Sequence, residues 1–98
     1  MAPFLACSVY AAGPNQPTEF EVYMDGATSP VISAAFPDSG GVRLNYDLAT
    51  IGTGNHTVIV KAAKPSTQWG RLTSPASSPF AFERPSAPSA PTGLVIIT

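Results

Sequence analysis

Apolar and polar residues alternate with a period of two along most of this chain, the pattern of strands that bury one face. In His56-Thr57-Val58-Ile59-Val60-Lys61-Ala62, Val58, Val60 and Ala62 share one side, and Thr57, Ile59 and Lys61 the other. In Glu19-Phe20-Glu21-Val22-Tyr23-Met24-Asp25, Phe20, Val22 and Met24 oppose Glu19, Glu21 and Asp25. Phe4 to Ala11 alternates Leu5, Cys7 and Val9, placed inward, with Phe4, Ala6, Ser8 and Tyr10, placed outward. Val42, Leu44, Tyr46 and Leu48 alternate with Arg43, Asn45 and Asp47. No stretch of useful length carries the 3.6-residue period of a helix. The expected fold is all-β, an antiparallel β-sandwich with His56 to Ala62 as a central strand.

Turn chemistry separates these runs. Gly13-Pro14-Asn15-Gln16-Pro17 removes ladder donors and makes a loop. Asp25-Gly26 is the pair that type I′ hairpins favour, since both central residues need positive φ, and it predicts a hairpin into Val31 to Phe36. Pro37 to Gly41 is a second polar turn, and Gly52-Thr53-Gly54-Asn55 a tight corner before the central strand. Ala63 to Pro79, with three prolines and Trp69-Gly70, reads as a long connection to a last strand at Phe80 to Phe82. From Arg84 to Pro91 a proline stands at every third position, the spacing of an extended polyproline II spacer. Beyond it, Thr92-Gly93-Leu94-Val95-Ile96-Ile97-Thr98 is an apolar, β-branched run with no partner strand after it. The organisation expected is therefore a sandwich over 1–83, a linker over 84–91 and an extra C-terminal strand over 92–98.

Composition narrows the chemistry. A net charge of −1 from five basic and six acidic residues offers no basic field for nucleic acid or an anionic membrane, and neither is expected as a partner. No run approaches the ~18 apolar residues of a membrane helix. Charged residues are only 11% of the chain, so Ser and Thr must carry solvation, as in many extracellular or particle-bound β domains. The single cysteine, Cys7, makes no internal disulfide and is expected to be a small buried side chain.

The same residues carry a resemblance. Phe20-x-Val22-x-Met24 looks like the third strand of a fibronectin type III domain, an immunoglobulin-like sandwich. Ile51-Gly52-Thr53-Gly54-Asn55-His56-x-Val58-x-Val60-x-Ala62 resembles that family's apolar residue, glycine corner and Tyr-x-Val-x-Val-x-Ala strand. Gly70, Ser74, Ser77, Ser78 and Pro79 resemble its last hairpin, and Pro88-x-x-Pro91-x-Gly93-Leu94 its opening strand. Two departures stand out: His56 replaces the corner tyrosine, whose hydroxyl bonds back to the backbone, and the family's buried tryptophan is absent. The opening strand expected before Phe4 is missing while a strand of that type follows the body, which implies a permuted, strand-swapped or excised unit. Low-charge versions of this kind occur in phage and bacterial structural proteins.

Catalytic chemistry is thinly provided for. His56 is the only histidine, and the strand pattern turns it inward, so it is expected to be a structural corner residue rather than the base of a hydrolase. Replacement by Tyr is expected to restore the corner bond. Asp25, Asp38 and Asp47 stand on separate turns or outer faces without metal-ligand spacing, and Cys7 with His56 falls short of a zinc set. No catalytic residue, metal or cofactor is expected. Asn55-His56-Thr57 matches a glycosylation sequon, but its place at a strand entry argues against use.

Trp69, with Tyr10 and Tyr23 on outer faces, could serve an aromatic binding surface. The expectation is a non-catalytic structural or interaction module of a phage or bacterial surface assembly, at a virion or extracellular surface, working through strand pairing and subunit docking. Its interaction residues are then Trp69 and Leu94, Val95, Ile96 and Ile97, and its partners protein subunits in a homo-oligomer or larger assembly. The alternative is a glycan- or receptor-binding accessory module using Trp69 and adjacent loops.

Overall fold

The computed structural model describes residues 3–98 and is all-β, with nine strands paired only antiparallel. They are β1 (Phe4–Ala6), β2 (Glu19–Met24), β3 (Val31–Ala34), β4 (Phe36–Asp38), β5 (Gly41–Arg43), β6 (Asn45–Asp47), β7 (Gly54–Thr67), β8 (Gly70–Thr73) and β9 (Phe80–Arg84). One sheet has the order β3-β2-β7-β8, with β9 also on β7; β1-β6 and β4-β5 form two-stranded pairs.

The run read as the central strand is the spine of this arrangement. β7 pairs with β2 from Glu19↔Ala63 to Met24↔Val58, while its opposite edge holds β9 at Gly54 to Val58 and β8 from Ala63 to Thr67. Between β8 and β9 two serines complete that edge. Ser74 and Ser77 donate their amides to the carbonyls of Ala62 and Val60 at 2.8 and 2.9 Å. Their hydroxyl oxygens accept the amides of the same two residues at 2.9 and 3.0 Å. Pro75 and Pro79 cannot donate to a ladder, and side-chain oxygens stand where strand carbonyls would.

The core lies where the β1-β6 layer faces the larger sheet. Phe20, Val22, Leu44 and Val58 are fully buried, with Leu5, Tyr10, Tyr46, Val60, Ala62 and Phe82 packed around them. Each of the four buried side chains removes enough apolar surface to contribute about 1.5–3 kcal/mol. Leu44 sits where the chain changes partners: β5 pairs with β4, and β6 with β1. This is why the Val42 to Leu48 run is two strands rather than one.

Several expectations need correction. The Phe4 to Ala11 strand ends at Ala6, and Leu5 and Tyr10 both turn inward although five residues apart, so the alternation slips phase between them. Cys7 and Val9 are consequently exposed, not buried, and Tyr10 packs on Phe20 with ring centroids 6.0 Å apart instead of facing outward. The Cys7 sulfur accepts the Leu44 amide at 3.3 Å. The Val31 to Phe36 strand breaks at Ala35, whose amide bonds to Thr18 O at 3.1 Å. Ala63 to Pro79 is not one long connection: β7 continues to Thr67 and turns tightly into β8, with a register shift between Lys64 and Thr67 accommodating Pro65. The Asp25-Gly26 turn forms as expected, with φ of 54° and 75°.

Past Arg84 no residue belongs to a strand. The chain has a radius of gyration of 18.8 Å and a longest extent of 75 Å, against about 13 Å for the radius of a compact 100-residue domain. Among the described residues no strand lies beside Leu94 to Ile97 to satisfy its ladder groups, and the segment is not itself a strand.

Candidate functional site

The six residues that sequence reasoning singled out fall in three separate places. His56 lies at the start of β7, where its ring stacks on Phe82 at a centroid distance of 5.5 Å. Its Nδ1 is 2.7 Å from Asp25 Oδ2, and its Nε2 2.7 Å from the carbonyl oxygen of Gly52. Asp25 is held by the type I′ turn, and its other oxygen accepts the Thr57 amide at 3.0 Å. Both neighbours of the imidazole are acceptors, so engaging both at once requires a proton on each nitrogen, and the geometry favours the imidazolium form. The Asp25 carboxylate, then the Gly52 carbonyl, raise the His56 pKa above its usual 6.5; the same ion pair and the Thr57 amide lower that of Asp25. The Gly52 bond runs back four residues across the corner. With both nitrogens engaged, the ring offers no lone pair to a reacting group.

Trp69 projects from the β7-β8 turn and is 78% exposed. The turn is fixed beneath it: Thr67 Oγ1 accepts the Trp69 amide at 3.0 Å and donates to Gly70 O at 2.7 Å. Tyr23 is remote from it, on the outer face of the large sheet, where its hydroxyl donates to Glu21 at 2.8 Å.

Glu21 belongs to a cluster that sequence reasoning missed. Although charged it is only 7% exposed, and Arg71 grips it through Nε and Nη2 at 3.0 and 2.7 Å while Nη1 reaches Glu19 at 2.8 Å. The Arg71 and Tyr23 bonds hold the Glu21 carboxyl below its usual pKa, and Lys61 lies 5.3 Å from the Tyr23 ring centroid. The signal lay in Gly70-Arg71-Leu72, whose alternation is masked by the prolines around it. The cluster is saturated with internal partners and reads as a clasp between β2 and β8.

The third place is the segment from Leu94 to Ile97, exposed by 82, 77, 92 and 88% along its four residues. It is the largest uncovered run of apolar side chains among the described residues. Opposite in character is the free edge of β1, which has β6 on one side and no strand on the other among the described residues. Between that edge and β9 runs an open apolar seam with two cavities. One, of about 400 Å³, is bounded by Pro3, Leu48, Ile51 and Phe82; the other, of about 220 Å³, by Leu5, Leu44, Val58 and Phe80, with Cys7 at its rim. Among the described residues no group of three or more His, Cys, Asp or Glu side chains is placed to hold a metal ion. No family model, curated protein or solved structure matches the chain.

Proposed function

We propose that this chain is a non-catalytic interaction module, a fibronectin type III-like unit of a phage or bacterial surface assembly, that joins protein subunits by strand pairing. The observation that carries the reading is the exposed Leu94 to Ile97 segment. Four consecutive apolar residues, three of them β-branched, with unpaired backbone are costly in water and are the composition that adds to a sheet edge. The fold assignment draws support from the strand order β3-β2-β7 with β8 and β9 beyond, from a separate β1-β6 layer, and from the His56 to Gly52 corner bond. The engagement of both His56 nitrogens favours a structural over a hydrolytic role for that residue.

The experiment is solution mass over a concentration series, with the chain alone and with Ile96→Asp. Self-association or capture of assembly subunits that the aspartate abolishes supports the reading. An unchanged monomer in both, with no subunit bound, overturns it. Trp69 favours a second reading, a glycan- or receptor-binding accessory module, because a large amphipathic ring stands exposed on a turn that is itself hydrogen-bonded. Loss of glycan or receptor binding in Trp69→Ala, with solution mass unchanged, identifies that reading.

A further inference from the structure

We infer that the partner of the Leu94 to Ile97 segment is a second copy of this chain, and that its acceptor is the seam between β1 and β9. The inference rests on the strand-pairing reading above and adds to it the acceptor site and the identity of the partner.

The seam is built with a period of two. Pro3 and Leu5 on one wall and Phe82 and Phe80 on the other are each two residues apart, and each member of a pair borders a different one of the two cavities. A strand laid beside β1 presents alternate side chains to one face, about 6.6–6.8 Å apart. Leu94 with Ile96, or Val95 with Ile97, therefore places one side chain in each cavity while the backbone takes up the free ladder groups of β1. The donor carries no charged side chain between Thr92 and Thr98, which suits walls that are apolar apart from Ser77, Ser78, Glu83 and Arg84. Arg84 is held against the wall of the larger cavity, its guanidinium donating to the carbonyls of Ala49 and Ile51, which line the same cavity.

Reach decides against the chain's own seam. β9 ends at Arg84, at the same pole as Pro3, and the spacer departs from there. Pro85 to Gly93 in polyproline II form extends about 28 Å at 3.1 Å per residue. Gly93, with φ of 64°, is the one bend in this stretch. A reversal there returns Leu94 to Ile97 over only about 13 Å at 3.3 Å per residue, alongside the spacer and short of β1. The 75 Å extent of the molecule is that of a chain whose tail stands away from its body. A second copy presents the same seam with no such restriction, and the contact is heterologous, tail to seam, so it closes as a reciprocal pair or a ring or continues as a filament.

Cys7, the only cysteine and at the rim of the smaller cavity, provides the test. Two full-length donor chains, Cys7→Ser with Ile96→Cys and Cys7→Ser with Ile97→Cys, are each mixed with the unaltered chain under mild oxidation, and disulfide-linked peptides are mapped by mass spectrometry. A bond from the new cysteine to Cys7 of the unaltered chain is expected, at least tenfold faster for one donor than the other, because only one of two adjacent strand residues faces the seam. A third donor, Cys7→Ser with Ser86→Cys in the spacer, sets the background. Links at background rate, or equal rates from both tail donors, overturn the assigned seam. If Ile96→Asp still abolishes association while no tail donor reaches Cys7, the seam is wrong and strand pairing elsewhere stands; if association is absent throughout, both fall.

Discussion

Gly41 sits where the structure has no room for a side chain, although its backbone conformation is open to any residue. A Cβ there would overlap the Tyr10 carbonyl oxygen outright and lie 2.7 Å from Val9 Cγ1. Tyr10 and Val42 exchange two backbone bonds, Tyr10 N to Val42 O at 2.7 Å and Val42 N to Tyr10 O at 3.0 Å, the bridge that ties the segment after β1 to β5. Because the clash is with backbone, Gly41→Ala must push the two segments apart and lengthen both bonds, a loss of about 1–3 kcal/mol at 0.5–1.5 each. The Tyr10 ring would also shift off Phe20, where such a pair contributes about 0.5–1.5 kcal/mol beyond its buried area. The expected loss is about 1.5–4.5 kcal/mol, or roughly 6–36 °C in Tm for a domain of this size. Denaturant and thermal melts should be run beside two controls. Gly52→Ala, with open space and ordinary backbone, should be neutral or stabilising by about 0.4–1 kcal/mol. Gly40→Ala, with open space but φ of 80°, should cost about 1–2 kcal/mol from left-handed strain alone. If Gly41→Ala melts within about 0.5 kcal/mol of the parent, or is milder than Gly40→Ala, the close approach of these segments is wrong.

Stability should depend on pH through Asp25 and His56. The raised His56 pKa contributes stability that is complete below about pH 6.5 and is lost as pH rises through the folded value; the lowered Asp25 pKa contributes above about pH 4 and is lost on acidification. Thermal melts should thus peak between about pH 4 and 6.5. His56→Tyr, which keeps a donor for the Gly52 carbonyl but titrates only near about pH 10, should fold and abolish the loss between about pH 6.5 and 9; an unchanged slope there in that variant counts against the imidazolium. Arg71→Met should lower Tm because it strands the buried Glu21 carboxylate, and adding Glu21→Gln should recover part of the loss, whereas additive losses would show the clasp to be uncoupled. Trp69 emission should be red-shifted and fully quenchable, with Trp69→Ala within about 0.5 kcal/mol of the parent; blue, protected emission in a verified monomer would place the ring inside.

The parts of this fold that were legible are those in which a single physical rule decides the outcome. Phe20 and Val22 against Glu19, and Val58 with Val60 and Ala62, are fixed by the two-residue period, and Asp25-Gly26 by the positive φ of its turn. What escaped were places where a local rule yields to a distant partner. Three prolines in 63–79 argue for a loop, yet the β7 edge, a bulge around Pro65 and the hydroxyls of Ser74 and Ser77 satisfy the ladder around them. The inward sense of Cys7 and Val9 follows from strict alternation, but the chain slips phase so that Tyr10 can reach Phe20, a preference set by a residue ten positions on. The His56 site was legible as a position and not as a chemistry. Alternation turns the ring inward, but its charge depends on Asp25, thirty-one residues away and delivered by an unrelated turn.

The tail presents the reverse situation, in which the local rule is unopposed and the partner is what the single chain lacks. Leu94 to Ile97 has strand composition, yet a strand is a relation between two edges and cannot be realised by one. β1 has the complementary deficit, an edge with one neighbour among the described residues, beside an apolar seam. The acceptor seam exists only in the folded chain, so pairing the two should couple assembly to stability by mass action. Tm of the unaltered chain should therefore rise with protein concentration, while that of Ile96→Asp should not. Parallel concentration dependence in the two would mean that whatever self-association exists does not pass through this segment.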